Sequence, residues 1–169
     1  NDMTNRNIYT IVFKLTTVIA LLSQSALCQF SIYQDNTVDA VNTVTVTRLS
    51  KDARFLAYGM VNGSIVLYDV SVKKELRSFS KHKESVTNLI FDSENKYLVS
   101  SGKEGNIVIW DLYSGDILKE INDFKDEINC IDLSPDAKML VGCGDRDEIY
   151  LWDFPSGKQR GTFKGHEKN

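Results

Sequence analysis

An all-β chain built from a repeated four-stranded antiparallel unit is predicted, and three observations predict it. The stretch Val86–Asp111 (VTNLIFDSENKYLVSSGKEGNIVIWD) holds three short apolar or alternating runs. A polar turn at Ser93, Glu94 and Asn95 and a glycine turn at Gly102 and Gly105 separate them. Turns this tight leave no room for a crossover, so the runs form an antiparallel meander. Aromatic–acid pairs then recur: Tyr68-Asp69, Trp110-Asp111 and Trp152-Asp153 are each 42 residues apart, and Val44, Val86 and Ile128 keep the same 42-residue step. A period of this length marks a repeat architecture before any single residue is weighed.

Residues 1–28 differ in character from the rest. Arg6 and Lys14 precede the apolar tract Leu15–Leu22, and the small residues Ala26 and Cys28 stand before Gln29. A basic flank, a short apolar core and a small-residue exit describe a secretory signal peptide cut before Gln29. Lys14 stops the tract short of the length a transmembrane helix needs. A buried strand at Ile8–Leu15 is the alternative for this segment. An initiator at Met3 would leave Asn1 and Asp2 as upstream translation.

Phe30–Asp35 is expected to form a short strand. Unit one follows with strands at Thr43–Leu49, Arg54–Gly59, Ser64–Asp69 and Lys74–Ser80, and Asn62-Gly63 supplies a left-handed turn. Unit two spans Ser85–Asn122 and unit three Glu127–Lys164. In unit three Ser134-Pro135-Asp136 sets the first turn, because proline fixes φ. The third strands, Ile65–Leu67, Ile107–Ile109 and Ile149–Leu151, are near-continuous apolar runs. Strands covered by sheets on both faces read this way.

A chain that is 42% hydrophobic and 25% charged, with net charge −3, has the composition of a soluble globular protein and lacks the polybasic surface of a nucleic-acid or anionic-membrane binder. Three cysteines without a C-x-x-C pair outline neither a metal site nor a disulfide framework. Cys130 and Cys143, on neighbouring strands of unit three, read as two small buried apolar side chains. A cross-strand disulfide is their alternative in an exported protein. With two histidines and no G-x-S-x-G, P-loop or H-E-x-x-H pattern, no catalytic residue, metal site or cofactor is expected.

The two Trp-Asp pairs, the Tyr-Asp variant, the 42-residue step, Lys81-His82 ahead of unit two and Gly165-His166 at the end resemble WD repeats. The resemblance covers Val44–Asn169 and implies a partial β-propeller of about three four-stranded antiparallel blades. Propellers of this family close with about 4–8 blades, so the chain is read as a truncated propeller, a fragment, in preference to a small ring completed by oligomerisation. Phe30–Asp35 is then the candidate terminal strand that clasps the last blade.

The resemblance also implies a buried structural hydrogen-bond set in unit two: His82, Ser100 and Trp110, with Glu104 where the family usually has Asp. A buried indole N–H and a buried imidazole need such partners. Unit one has Ala40, Tyr58, Asn62 and Tyr68 at these places, and unit three Phe124, Gly142, Arg146 and Trp152. Both are expected to rely on apolar packing instead.

Unit three's entry loops carry Asp123, Asp126, Glu127, Asp145, Asp147 and Glu148 against Lys125 and Arg146. Loops at one end of a blade converge, so these form an acidic lip suited to a basic peptide. Its alternative is a solvated loop face. The function expected is a non-enzymatic scaffold that binds a protein or peptide partner through Lys83, Ser85, Lys103, Glu127 and Asp145, positions that resemble those the family uses on its loop-bearing face. Nucleic acid, membrane insertion of the mature chain and a small-molecule substrate are not expected. The alternative is the N-terminal propeller of a longer exported enzyme, such as a caspase-like peptidase or another hydrolase. Location follows the leader: periplasmic or extracellular if residues 1–28 are a signal peptide, cytoplasmic otherwise.

Overall fold

A computed structural model describes residues 43–124, 127–146 and 148–164. The leader, Ala40 and the Phe30–Asp35 clasp lie outside the described residues. Among the described residues twelve strands form three four-stranded antiparallel sheets. The first holds β1 (Val44–Leu49), β2 (Phe55–Met60), β3 (Ser64–Asp69) and β4 (Lys74–Ser80). The second holds β5 (Val86–Phe91), β6 (Tyr97–Gly102), β7 (Ile107–Asp111) and β8 (Ile117–Ile121). The third holds β9 (Ile128–Leu133), β10 (Met139–Gly144), β11 (Glu148–Asp153) and β12 (Lys158–Lys164). Each sheet is a simple meander in chain order.

The turns repeat with the strands. Between the first two strands of each sheet the backbone turns left-handed at Ala53, Asn95 and Ala137 (φ 58°, 57° and 51°). Ser50, Asp92 and Ser134 accept the turn-closing bonds from these three residues. Between the last two strands the left-handed residues are Lys73, Gly115 and Gly157. The β2–β3 turn departs from expectation, because Gly63 alone is left-handed (φ 81°). Asn62 instead accepts a bond from the Ser64 N–H (2.9 Å), an Asx turn.

Bulges repeat as well. The β1–β2 and β5–β6 pairs each slip one residue, at Thr45 and Thr87. The bulge re-aims the side chain. Thr45 Oγ1 donates to the Val86 carbonyl (2.6 Å), and Thr87 Oγ1 to that of Ile128 (3.3 Å), so each inner strand hooks the next. A second slip precedes each aromatic–acid pair, between Leu67 and Tyr68, Ile109 and Trp110, and Leu151 and Trp152. It leaves Leu76 and Leu118 unpaired and outward, 47% and 46% exposed.

Two apolar cores lie between the sheets. Ala57, Ile65, Leu67 and Phe79 of the first sheet meet Val86, Leu89, Leu98 and Trp110 of the second. On the other side Ile90, Val99, Ile107, Ile109 and Ile121 meet Ile128, Ile131, Leu140, Trp152 and Phe154 of the third. Ile107, Val108 and Ile109 are fully buried, as expected of a doubly covered strand. The third sheet corrects the same expectation, since Ile149 is 41% exposed and Tyr150 and Leu151 only half-buried. Among the described residues only one face of that sheet meets another sheet. For the same reason Cys130 is exposed and Cys143 half-buried, not the buried pair expected.

Candidate functional site

The second sheet encloses a polar group. His82 precedes β5, Ser100 lies on β6 and Trp110 on β7, all buried. His82 Nδ1 faces two oxygens, Asn106 Oδ1 at 2.7 Å and Glu104 Oε1 at 2.9 Å, so this nitrogen carries the proton. Its Nε2 then accepts from the Ser100 hydroxyl (2.7 Å), whose oxygen accepts the Trp110 indole N–H (2.8 Å). The imidazole, the hydroxyl and the indole are thereby satisfied.

Asn106 is the member that sequence reasoning missed. It lies two residues beyond Glu104 and reaches closer to the imidazole. The longer glutamate fits because residue 102 is glycine: a Cβ there would stand 2.1 Å from Glu104 Oε2. That oxygen is buried without a hydrogen-bond partner among the described residues. Glu104 Oε1 also accepts from the Lys83 backbone N–H (3.2 Å), tying the group to the surface. Nearby, Lys81 pairs with Glu120 (2.9 Å) and holds that carboxyl below its ordinary range.

The third sheet lacks this group but does not rest on apolar packing alone, which corrects the expectation. The Trp152 indole donates to Asp123 Oδ2 at 2.7 Å. Phe124 stands where His82 stands in the second unit, with its ring 4.7 Å from Tyr150 and 5.8 Å from Trp152. Tyr150 and Trp152 stack within 9° of parallel. Gly142 replaces Ser100, and a Cβ there would meet Phe124 and Trp152 at 3.3 Å. In the first sheet Tyr58 is half-buried, and burial raises its phenol above the usual value.

The aromatic–acid carboxylates face the following turn. Asp111 accepts from the Tyr113 and Ser114 N–H groups (2.8 and 2.9 Å), and Asp69 from the Ser71 N–H (2.9 Å) and hydroxyl. The bond from the Ser114 N–H lowers the Asp111 carboxyl, and the Ser71 hydroxyl lowers that of Asp69. Asp153 instead pairs with Arg160.

The five proposed contact residues lie along one edge of the second and third sheets. Ser85 donates to the Val61 carbonyl (3.2 Å), and the Lys103 N–H donates to that of Ser85 (2.8 Å). Lys103 Nζ stands 3.9 Å from Glu127 Oε2. Glu127 and Asp145 line a shallow, solvent-open hollow with Asp123, Glu148, Arg146 and the rings of Phe124 and Tyr150. Asp126 and Asp147 of the acidic lip lie outside the described residues.

The described carboxylates of the lip are all engaged. Asp123 holds Trp152, Asp145 accepts from the Asn129 amide (2.8 Å), and Glu148 accepts from the Tyr150 hydroxyl (2.7 Å). Glu148 in turn raises the Tyr150 phenol. Among the described residues no three His, Cys, Asp or Glu side chains are grouped to hold a metal, and no helix is long and apolar enough to cross a membrane.

A family model described as "Nucleolar protein 10-like, N-terminal domain" matches residues 13–156. A chain of a crystal structure of a mitotic checkpoint complex is similar with a TM-score of 0.70 at 24% identity, over 77% of this chain and 40% of that one. The Myceliophteria thermophila Cps50 (Swd1) β-propeller domain is similar with a TM-score of 0.66 at 23% identity, over 76% of this chain and 39% of that one. The chain thus spans about two fifths of the length of these solved chains. No curated protein matches the sequence.

Proposed function

The chain belongs to the nucleolar protein 10-like N-terminal domain family of WD-repeat propellers, and on that premise we propose that its blades are a non-enzymatic scaffold for a protein or peptide partner. One observation carries this reading: Ser85, Lys103 and Glu127 form an unbroken row of contacts across two blades, and Asp145 shares Glu127's hollow. The row, with Lys83 beside it, offers cations on the second blade and carboxylates on the third. Backbone-anchored, pre-organised loops lower the ordering cost of association. Charge complementarity selects a partner with lysines or arginines opposite Glu127 and Asp145.

The sole buried histidine among the described residues has both ring nitrogens committed within the blade, which argues against a role as catalytic base. The family match takes in residues 13–28, which supports reading that stretch as part of the propeller domain over a cleaved leader. The family bears the name of a nucleolar protein, which supports an intracellular location over export. The mass of the purified protein decides: loss of everything before Gln29 restores the leader reading.

The binding reading is tested with a fluorescent lysine-rich peptide. The double variant Glu127→Gln, Asp145→Asn is expected to weaken binding about tenfold, or about 1.4 kcal/mol. Added salt should weaken the parent complex, because exposed charges are screened. Equal affinity of parent and variant overturns the assignment.

A further inference from the structure

We infer that Cys130 and Cys143 are a paired dithiol on the third blade, which a small disulfide such as oxidised glutathione converts to a cross-strand disulfide. The two residues are direct partners in the β9–β10 register. Directly opposed residues of an antiparallel pair share a face, with Cα atoms about 4.5–5.5 Å apart. A disulfide needs a Cα separation of about 4.4–6.8 Å.

The second blade shows the same two places occupied by other side chains. Asn88 and Ser101, each 42 residues earlier, are partners in the β5–β6 register. There the Asn88 amide donates to Ser101 Oγ at 2.9 Å, so side chains at these places touch. In the third blade both thiols are free and neither is fully buried.

The exchange balances without a further reactant. One cysteine thiolate attacks a sulfur of oxidised glutathione, and the first glutathione leaves as thiolate. The second cysteine thiolate then attacks the protein sulfur of the mixed disulfide, and the second glutathione leaves. Two protein thiols lose two electrons to glutathione, and the two released thiolates take up the protons. Partial desolvation by its neighbours, followed by the nearby Cys143, raises the Cys130 thiol, so the exchange speeds up with pH. Once formed, the bond fixes β9 to β10 next to Asn129, whose amide donates to Asp145 of the acidic hollow.

The test uses the full chain carrying Cys28→Ser, treated with oxidised glutathione at mildly alkaline pH. The expected product has no titratable thiol, a mass lower by two hydrogens, and a proteolytic fragment joining the two strands. Adding Cys143→Ser should arrest the reaction at one retained glutathione. Two glutathiones retained on the parent overturn the inference, as do two thiols surviving oxidation or linkage only between chains.

Discussion

Blades two and three hold equivalent tryptophans in different ways. Trp110 hangs on a buried relay through Ser100 to His82 and Asn106, all enclosed by neighbouring sheets. Trp152 is clamped by aromatic rings and by one carboxylate, Asp123, that belongs to an exposed loop. An indole can therefore be seated by a satisfied polar interior or by stacking with an outside acceptor. The first leaves unpaired groups in a dry place when a member is lost, and the second loses an acceptor from an exposed loop, which water can replace.

The largest expected effect tests what the blades share. Trp110→Ala and Trp152→Ala should each cost about 3–5 kcal/mol in urea denaturation, since both indoles are buried. A loss in either no larger than an exposed substitution would break the equivalence. The next effect tests what they do not share. His82→Ala strands the Ser100 hydroxyl and the Asn106 side chain and should cost about 1–3 kcal/mol. Asp123→Ala removes an acceptor on an exposed loop, whose place water can take, and should cost about 0.5–1.5 kcal/mol. The reverse ranking would sink the distinction.

Glycines sharpen it further. Gly102→Ala drives a Cβ into Glu104 and His82 and should cost about 1–3 kcal/mol by thermal melting. Gly142→Ala meets ring atoms at 3.3 Å, without the overlap found at Gly102, and should cost less, about 1 kcal/mol or under.

The smallest effect is in acid. The Asp111 carboxyl is lowered in the folded chain, so it adds stability above the ordinary carboxylate range, and that stability is lost as pH falls. Asp111→Asn should therefore melt with a shallower acid limb than the parent as pH falls through the ordinary carboxylate range and below it. An unchanged limb would remove the turn from the list of acid-sensitive points.

The strand pattern was legible because each unit writes its own punctuation. Ser50, Asp92 and Ser134 open the same turn, and Ala53, Asn95 and Ala137 close it in the left-handed region. Less legible was what side chains do across a blade. Asn106 does not stand out in the sequence because its approach to His82 depends on the register of β6 against β7. Asp123 looked like one more lip carboxylate because nothing local says that it turns inward to Trp152. The exposure of Ile149 was hidden for another reason: a strand's composition records the neighbours its unit can take, not those present beside it.

The threonine hooks have a direction. Thr45 and Thr87 each donate forward, from an earlier sheet to a carbonyl about forty residues later in the chain. During synthesis the first and second sheets therefore each emerge with a donor ready before its acceptor exists. The order of manufacture and the order of docking coincide, and a sheet is fastened by the successor it has been waiting for.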